Sequence, residues 1–349
     1  MLFIAFEFEE LLSAGDRLLA AARYEEALDY YVRVLRIDDE SYEGQMGAGR
    51  ACYQLRRFDE AAEHFSAAVA TAPDDATSLV SLALCHSERG RRDEAIIYAE
   101  RATVIDDTYL HAFTTLARLS HLARQYRRSL EALGAARRIA PDHLEVLYNT
   151  GVIHRVLGDN EASVEVLFEA ASRYPHSAIV MKELARALHA CGNLDAAADF
   201  FGRSIQLAPD DPEAHCDLGR LRGETGNHRD AVRHFKRALE LDPTLAAAYY
   251  NLGVAFAALG FLNAASSSLQ QALRYNPGWP AAIHQLGLIN IRRGKFFEAL
   301  EQAAQLHDLD ADLEHRLHQA ITEEALAIGA YRRLSDVMPS ATDMLQSGH

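Results

Sequence analysis

Small residues recur every 34 positions through most of this chain, and that regularity restricts the folds open to it more than any other feature. They are Ala27, Ala61, Ala95, Ser129, Ser163, Ala197, Ala231, Ala265 and Ala299, with no insertion between copies. A fixed period of this length marks stacked supersecondary units, each too small to bury its own apolar face. With these residues numbered as position 20, the repeats span 8–41, 42–75, 76–109, 110–143, 144–177, 178–211, 212–245, 246–279 and 280–313.

Other columns keep the same register. Position 8 is small in all nine copies: Gly15, Gly49, Ala83, Ala117, Gly151, Ala185, Gly219, Gly253 and Gly287. Position 24 is mostly large and apolar, as in Tyr31, Phe65, Phe201 and Phe235, and position 27 is mostly small. Apolar residues at positions 4, 7, 8 and 11, and again at 20, 24, 27 and 28, each form one stripe at helical spacing. The spacing therefore predicts an all-α chain with two amphipathic helices per repeat. Glycine at position 15 (Gly90, Gly158, Gly192, Gly226, Gly260, Gly294) closes the first helix. Proline at position 32 in six copies stops the second, because it lacks the N–H and clashes with the preceding turn.

Over 8–313 these columns resemble the tetratricopeptide-repeat family. The resemblance implies a right-handed superhelical solenoid of antiparallel helix pairs. Its first helices would line a concave groove that takes a protein or peptide, and no catalytic role is expected. The columns weaken at both ends, with Ala14, Asp39 and Ala48 early and Ala303 and Ala311 late, as capping repeats do. Residues 1–7 read as a separate apolar segment. Residues 314–335 read as a capping helix, striped by Leu317, Ile321, Ala325 and Ile328, and residues 336–349 as a mobile tail.

The resemblance also places positions 2, 5, 6, 9, 12 and 13 of each first helix in the groove. Arg118, Arg186 and Arg220 fall at position 9, as does Arg50. Guanidinium forks suit carboxylates, so the row is a candidate site for an acidic ligand. Glu183 and Asp217 lie three residues before Arg186 and Arg220, which leaves open that these pairs neutralise one another. Asn149 and Asn251 at position 6 can hold a ligand backbone through donor and acceptor, with Asp217 and Gln285 in the same column. Tyr148 and Tyr250 at position 5 are the aromatic anchors. Tyr250, Val254, His284 and Leu288 give repeats eight and nine an apolar strip, a site for a partner or for the chain's own C-terminal helix. The family's two-carboxylate clamp for chaperone C-termini is incomplete. Cys216, Arg220, Asn251, Ala281 and Gln285 stand at its positions in one set of repeats, and Thr114, Arg118, Asn149, Ile179 and Glu183 in another.

Composition enters mainly by exclusion. A formal net charge of -15 with no run of Lys or Arg argues against nucleic acid. Four scattered cysteines without a CxxC pair indicate neither a disulfide framework nor a zinc site. No apolar run approaches the roughly 20 residues of a membrane span, and no signal sequence opens the chain, so a cytoplasmic protein is expected. His315 with His318, and His228 with His234, lack a third ligand at metal spacing, and no nucleophile or phosphate-loop motif is present. The reading is an adaptor or scaffold without cofactor or metal. Self-assembly into a homo-oligomer through Met1–Phe6 and the terminal repeats is one alternative. A regulatory subunit of a biosynthetic or secretion complex is another.

Overall fold

The computed structural model describes residues 2–327, and side chains from residue 6 onward. Among the described residues there are 19 helices and no strand. They form two compact units, divided after Tyr174.

The first unit pairs α1 (Leu2–Ala20) with α2 (Tyr24–Ile37), α3 (Tyr42–Gln54) with α4 (Phe58–Thr71), and α5 (Ala76–Glu88) with α6 (Arg92–Ile105). It continues with α7 (Leu110–Leu122) and α8 (Tyr126–Ile139), then α9 (Leu144–Leu157) and α10 (Asn160–Arg173). The second unit pairs α11 (Ala178–Ala190) with α12 (Leu194–Leu207), and α13 (Pro212–Glu224) with α14 (His228–Leu241). After them come α15 (Ala246–Ala258) and α16 (Leu262–Tyr275), α17 (Pro280–Arg292) and α18 (Phe296–Leu306), and the single helix α19 (Ala311–Ala327).

Columns 8, 20 and 24 explain each pair. The large residue at position 24 lies on the bare backbone at position 8. A Cβ built on Gly219 would stand 2.7 Å from the Phe235 ring, and one on Gly49 2.7 Å from the Phe65 ring. Position 20 is fully buried between the two helices. Where it is serine, the hydroxyl donates across the pair, from Ser129 Oγ to the Ala117 carbonyl at 2.8 Å and from Ser163 Oγ to that of Gly151 at 2.7 Å. Burial of a polar group is thereby satisfied.

Within each unit most successive first helices touch: α1 with α3, α5 with α7 and α7 with α9, then α11 with α13, α13 with α15, and α15 with α17. Second helices of successive repeats approach less closely and meet through long side chains, as where Arg128 pairs with Glu100 and Arg137 with Glu169 at 2.6 Å. Each unit is therefore concave on its first-helix side.

The turn inside each repeat carries a feature that glycine only partly marks. Position 15 has positive φ in all nine copies. The six glycines lie between 72° and 86°, and Ala22, Arg56 and Arg124 adopt 58°, 61° and 59°. A Cβ there crowds the following carbonyl. The Arg124 side chain is exposed, so glycine removes strain without removing packing. Arg124→Gly should raise stability by about 0.5–1 kcal/mol, after allowing for the freer unfolded chain. Gly90→Ala should lower it by a similar amount. Urea midpoints of the two variants, moving in opposite directions, check this.

Two departures occur at the ends. The segment expected to stand apart at 1–7 continues into α1 without a break from Leu2, with Phe6 65% exposed. The C-terminal helix starts at Ala311 rather than 314, because Asp310 caps it by accepting from the Leu313 amide at 3.0 Å, and no proline stands at position 32 of that repeat. Its expected extension to 335 and the tail 336–349 lie outside the described residues. Helix α19 packs on α17 and α18. Leu317 occupies the space over Gly287, where an added Cβ would come within 2.5 Å of it. This is the place a large position-24 residue would hold, and Ala303 vacates it.

Candidate functional site

The first-helix faces hold all of the expected contact residues, and the two units use theirs differently. On the second unit, the position-9 arginines are committed to ion pairs, Arg186 across repeats and Arg220 along its own helix. Arg186 reaches Asp217 at 2.6 Å, Glu213 at 3.2 Å and Glu183 on its own helix at 3.3 Å. Lys182 reaches Asp211 at 2.8 Å and Glu213 at 3.0 Å. Asp211 is also the N-cap of α13, accepting from the amides of Glu213 and Ala214. Arg220 donates to Glu224 and to His189 Nδ1, so the His189 proton sits on Nε2 and faces Glu224. Burial opposes the Arg186 cation, but the charges of Asp217 and Glu183 outweigh it, so its pKa is held above the ordinary guanidinium value. The Asp211 carboxyl is likewise held below its ordinary value, against burial, by Lys182 and the backbone amides.

The remaining second-unit residues form a neutral strip. The Tyr250 ring packs on Trp279 with centroids 4.7 Å apart. Asn251 makes only a 4.0 Å contact to the sulfur of Cys216, whose thiol is pushed up to about 11 by burial. Val254 is exposed, and His284 and Gln285 are half-buried. Burial lowers the His284 pKa, favouring its neutral form. Leu288 packs against the core that α19 completes.

On the first unit, Arg118, Tyr148 and Asn149 line one cavity of about 290 Å³ together with Leu122, Val152 and Ile153. His121 lies at its edge, its ring set against Tyr126. Arg118 is exposed and forms no ion pair among the described residues, and Arg50 is the same. The Asn149 amide is half-buried and has no hydrogen-bond partner among them. Sequence reasoning treated the four arginines as one row. It left open whether Arg186 and Arg220 are neutralised; the structure binds those two into the scaffold and leaves Arg50 and Arg118 without an ion pair among the described residues.

Among the described residues no group of three or more His, Cys, Asp or Glu side chains is placed to hold a metal ion. His215 and His234 approach at 3.3 Å between Nδ1 atoms, and the other nitrogen of His215 donates to the Pro209 carbonyl. No helix among the described residues is long and apolar enough to cross a membrane.

Family models described as TPR repeat or tetratricopeptide repeat match residues 12–76, 53–109, 123–171, 180–221, 222–260 and 246–278. The chain is similar to U-box domain-containing protein 70 of Oryza sativa subsp. japonica, 27% identical over 112 residues, 32% of this chain and 14% of that protein. It is similar to the probable UDP-N-acetylglucosamine–peptide N-acetylglucosaminyltransferase SPINDLY of Solanum lycopersicum, 30% identical over 113 residues, 32% of this chain and 12% of that one. It thus spans about an eighth to a seventh of the length of these relatives. A solved tetratricopeptide repeat protein from Parabacteroides merdae shares the fold at TM-score 0.60, with 18% identity, over 71% of this chain and 98% of that one.

Proposed function

The chain belongs to the tetratricopeptide-repeat family, and from that premise we propose that it is a scaffold or adaptor holding a partner protein, or an extended segment of one, against its first-helix faces. The observation that carries this is the repeat-periodic row of side chains on each concave face. Arg118, Tyr148 and Asn149 form it on the first unit. Tyr250, Asn251, Val254, His284 and Gln285 form it on the second. Aromatic rings beside amides that can both donate and accept suit an extended backbone better than a small solute. Arg186, Asp217 and Arg220 take part mainly by keeping the repeats in register.

Capture from the source lysate tests the proposal, with the intact protein as bait and the Asn149→Ala, Asn251→Ala double variant as control. Arg186 is left untouched so that the scaffold is preserved. A partner retained by the wild type and lost by the variant, at unchanged helical circular dichroism, is the expected result. Retention by both would refute binding at these faces. Recovery of the protein alone would favour self-assembly.

A further inference from the structure

The position-9 arginines differ in the acids placed within their reach. Arg186 pairs with the residue 31 positions on, Asp217 at position 6 of the next repeat. The same step from Arg118 lands on Asn149, and from Arg50 on Ser81, both uncharged. On their own helices, three residues earlier, Glu183 supports Arg186, whereas Thr115 and Gly47 precede Arg118 and Arg50. Nor do the acids on the same or neighbouring first helices close on them: Asp16 accepts from the Tyr31 hydroxyl, and Glu43, Glu88 and Glu145 form no ion pair among the described residues. Two guanidinium groups thus face outward from one concave surface of an acidic chain without a carboxylate of their own.

Resting on the adaptor reading, we infer that Arg50 and Arg118 select the partner, and that the partner presents an extended acidic segment to the first unit. A carboxylate at Arg118 would enter the cavity of about 290 Å³ beside the Asn149 amide, which can bond the ligand backbone. That volume takes one side chain rather than a folded element, and its apolar lining of Leu122, Val152 and Ile153 suits the methylenes of a glutamate. Arg50 lies two repeats away. At the ~10 Å spacing of packed helices the separation is roughly 20 Å, which an extended segment covers in about six residues. The second carboxylate should therefore fall about six residues from the first. Arg186 and Arg220, with their charge already matched, contribute no selectivity.

A displayed library of random decapeptides, selected on the intact protein, tests this directly. Enriched peptides should carry Glu or Asp pairs about six residues apart. Their affinity should fall at least tenfold with Arg118→Ala or with Glu→Gln in the peptide, and should weaken with salt. Arg50→Ala should relax the preference at the second acid alone. Enrichment of peptides without acids, or of acidic peptides indifferent to Arg50 and Arg118, would overturn the acidic-partner inference and leave the adaptor reading standing. Selection of no peptide at all, by a protein that captures a partner from lysate, would overturn the inference as well. Failure of both experiments would remove the adaptor reading.

Discussion

Leu317→Ala is expected to cost about 3 kcal/mol and to loosen the C-terminal end of the second unit ahead of the rest. Leu317 is fully buried, and its methyl groups lie over Gly287, where no side chain of α17 stands beneath them. Ile321 and Ala325 continue the same stripe into a core with Ile283, Leu300 and Leu306. Truncation leaves a cavity against bare backbone, which cannot close without moving α19 as a body. Hydrogen exchange should show early loss of protection in α17, α18 and α19, with α13 and α14 unchanged, and the urea curve should gain an early step. Leu309→Ala, at a side chain 47% exposed, is the control and should stay within about 0.5 kcal/mol of wild type. Equal effects of the two would mean that α19 is not a cap.

Arg186→Met is expected to destabilise the second unit by about 2 kcal/mol. That is below the range for a fully buried pair, because the Arg186 side chain is 26% exposed and solvent screens part of the charge. Methionine keeps the aliphatic stem but leaves Asp217, Glu213 and Glu183, which is 2% exposed, facing one another without their common cation. The sign with pH follows from the carboxyl groups. Glu213 is held below its ordinary value by Lys182 and, in part, by Arg186, so that part of its contribution is present above about pH 4 and is lost as pH falls through the depressed value. The difference between variant and wild type should therefore be full at pH 7 and should shrink below pH 4. Melting curves at the two values decide the matter, and a difference that persisted in acid would show that Arg186 acts by packing.

These two results would bear on different kinds of legibility. The helix pairs could be read directly, since columns 8, 20 and 24 constrain one another through contacts of fixed sequence separation. Leu317 was legible as part of a capping stripe but its seat over Gly287 was not, because it reaches that glycine from 30 residues away instead of the 16 that separate positions 8 and 24. The left-handed turn at position 15 was visible where glycine stands and hidden at Ala22, Arg56 and Arg124, whose side chains give no sign of the backbone angle beneath them. Within-helix pairs such as Glu183 with Arg186 were readable at three-residue spacing. The pairing of Arg186 with Asp217 requires knowing which positions of adjacent repeats lie side by side, and so does its absence at Arg118.

The contacts between first helices, and the wider spacing of second helices, also make each unit mechanically one-sided. Flexing that tightens the concavity presses together side chains already in contact, and packed interiors resist compression. Flexing that widens it separates those inner contacts and shortens the outer layer, where second helices stand farther apart and meet through long, bendable side chains such as Arg128 with Glu100 and Arg137 with Glu169. Each unit should behave as a leaf spring with a stop, stiff against closing and compliant to opening, so that it yields to an occupant broader than a single strand by spreading rather than by unfolding.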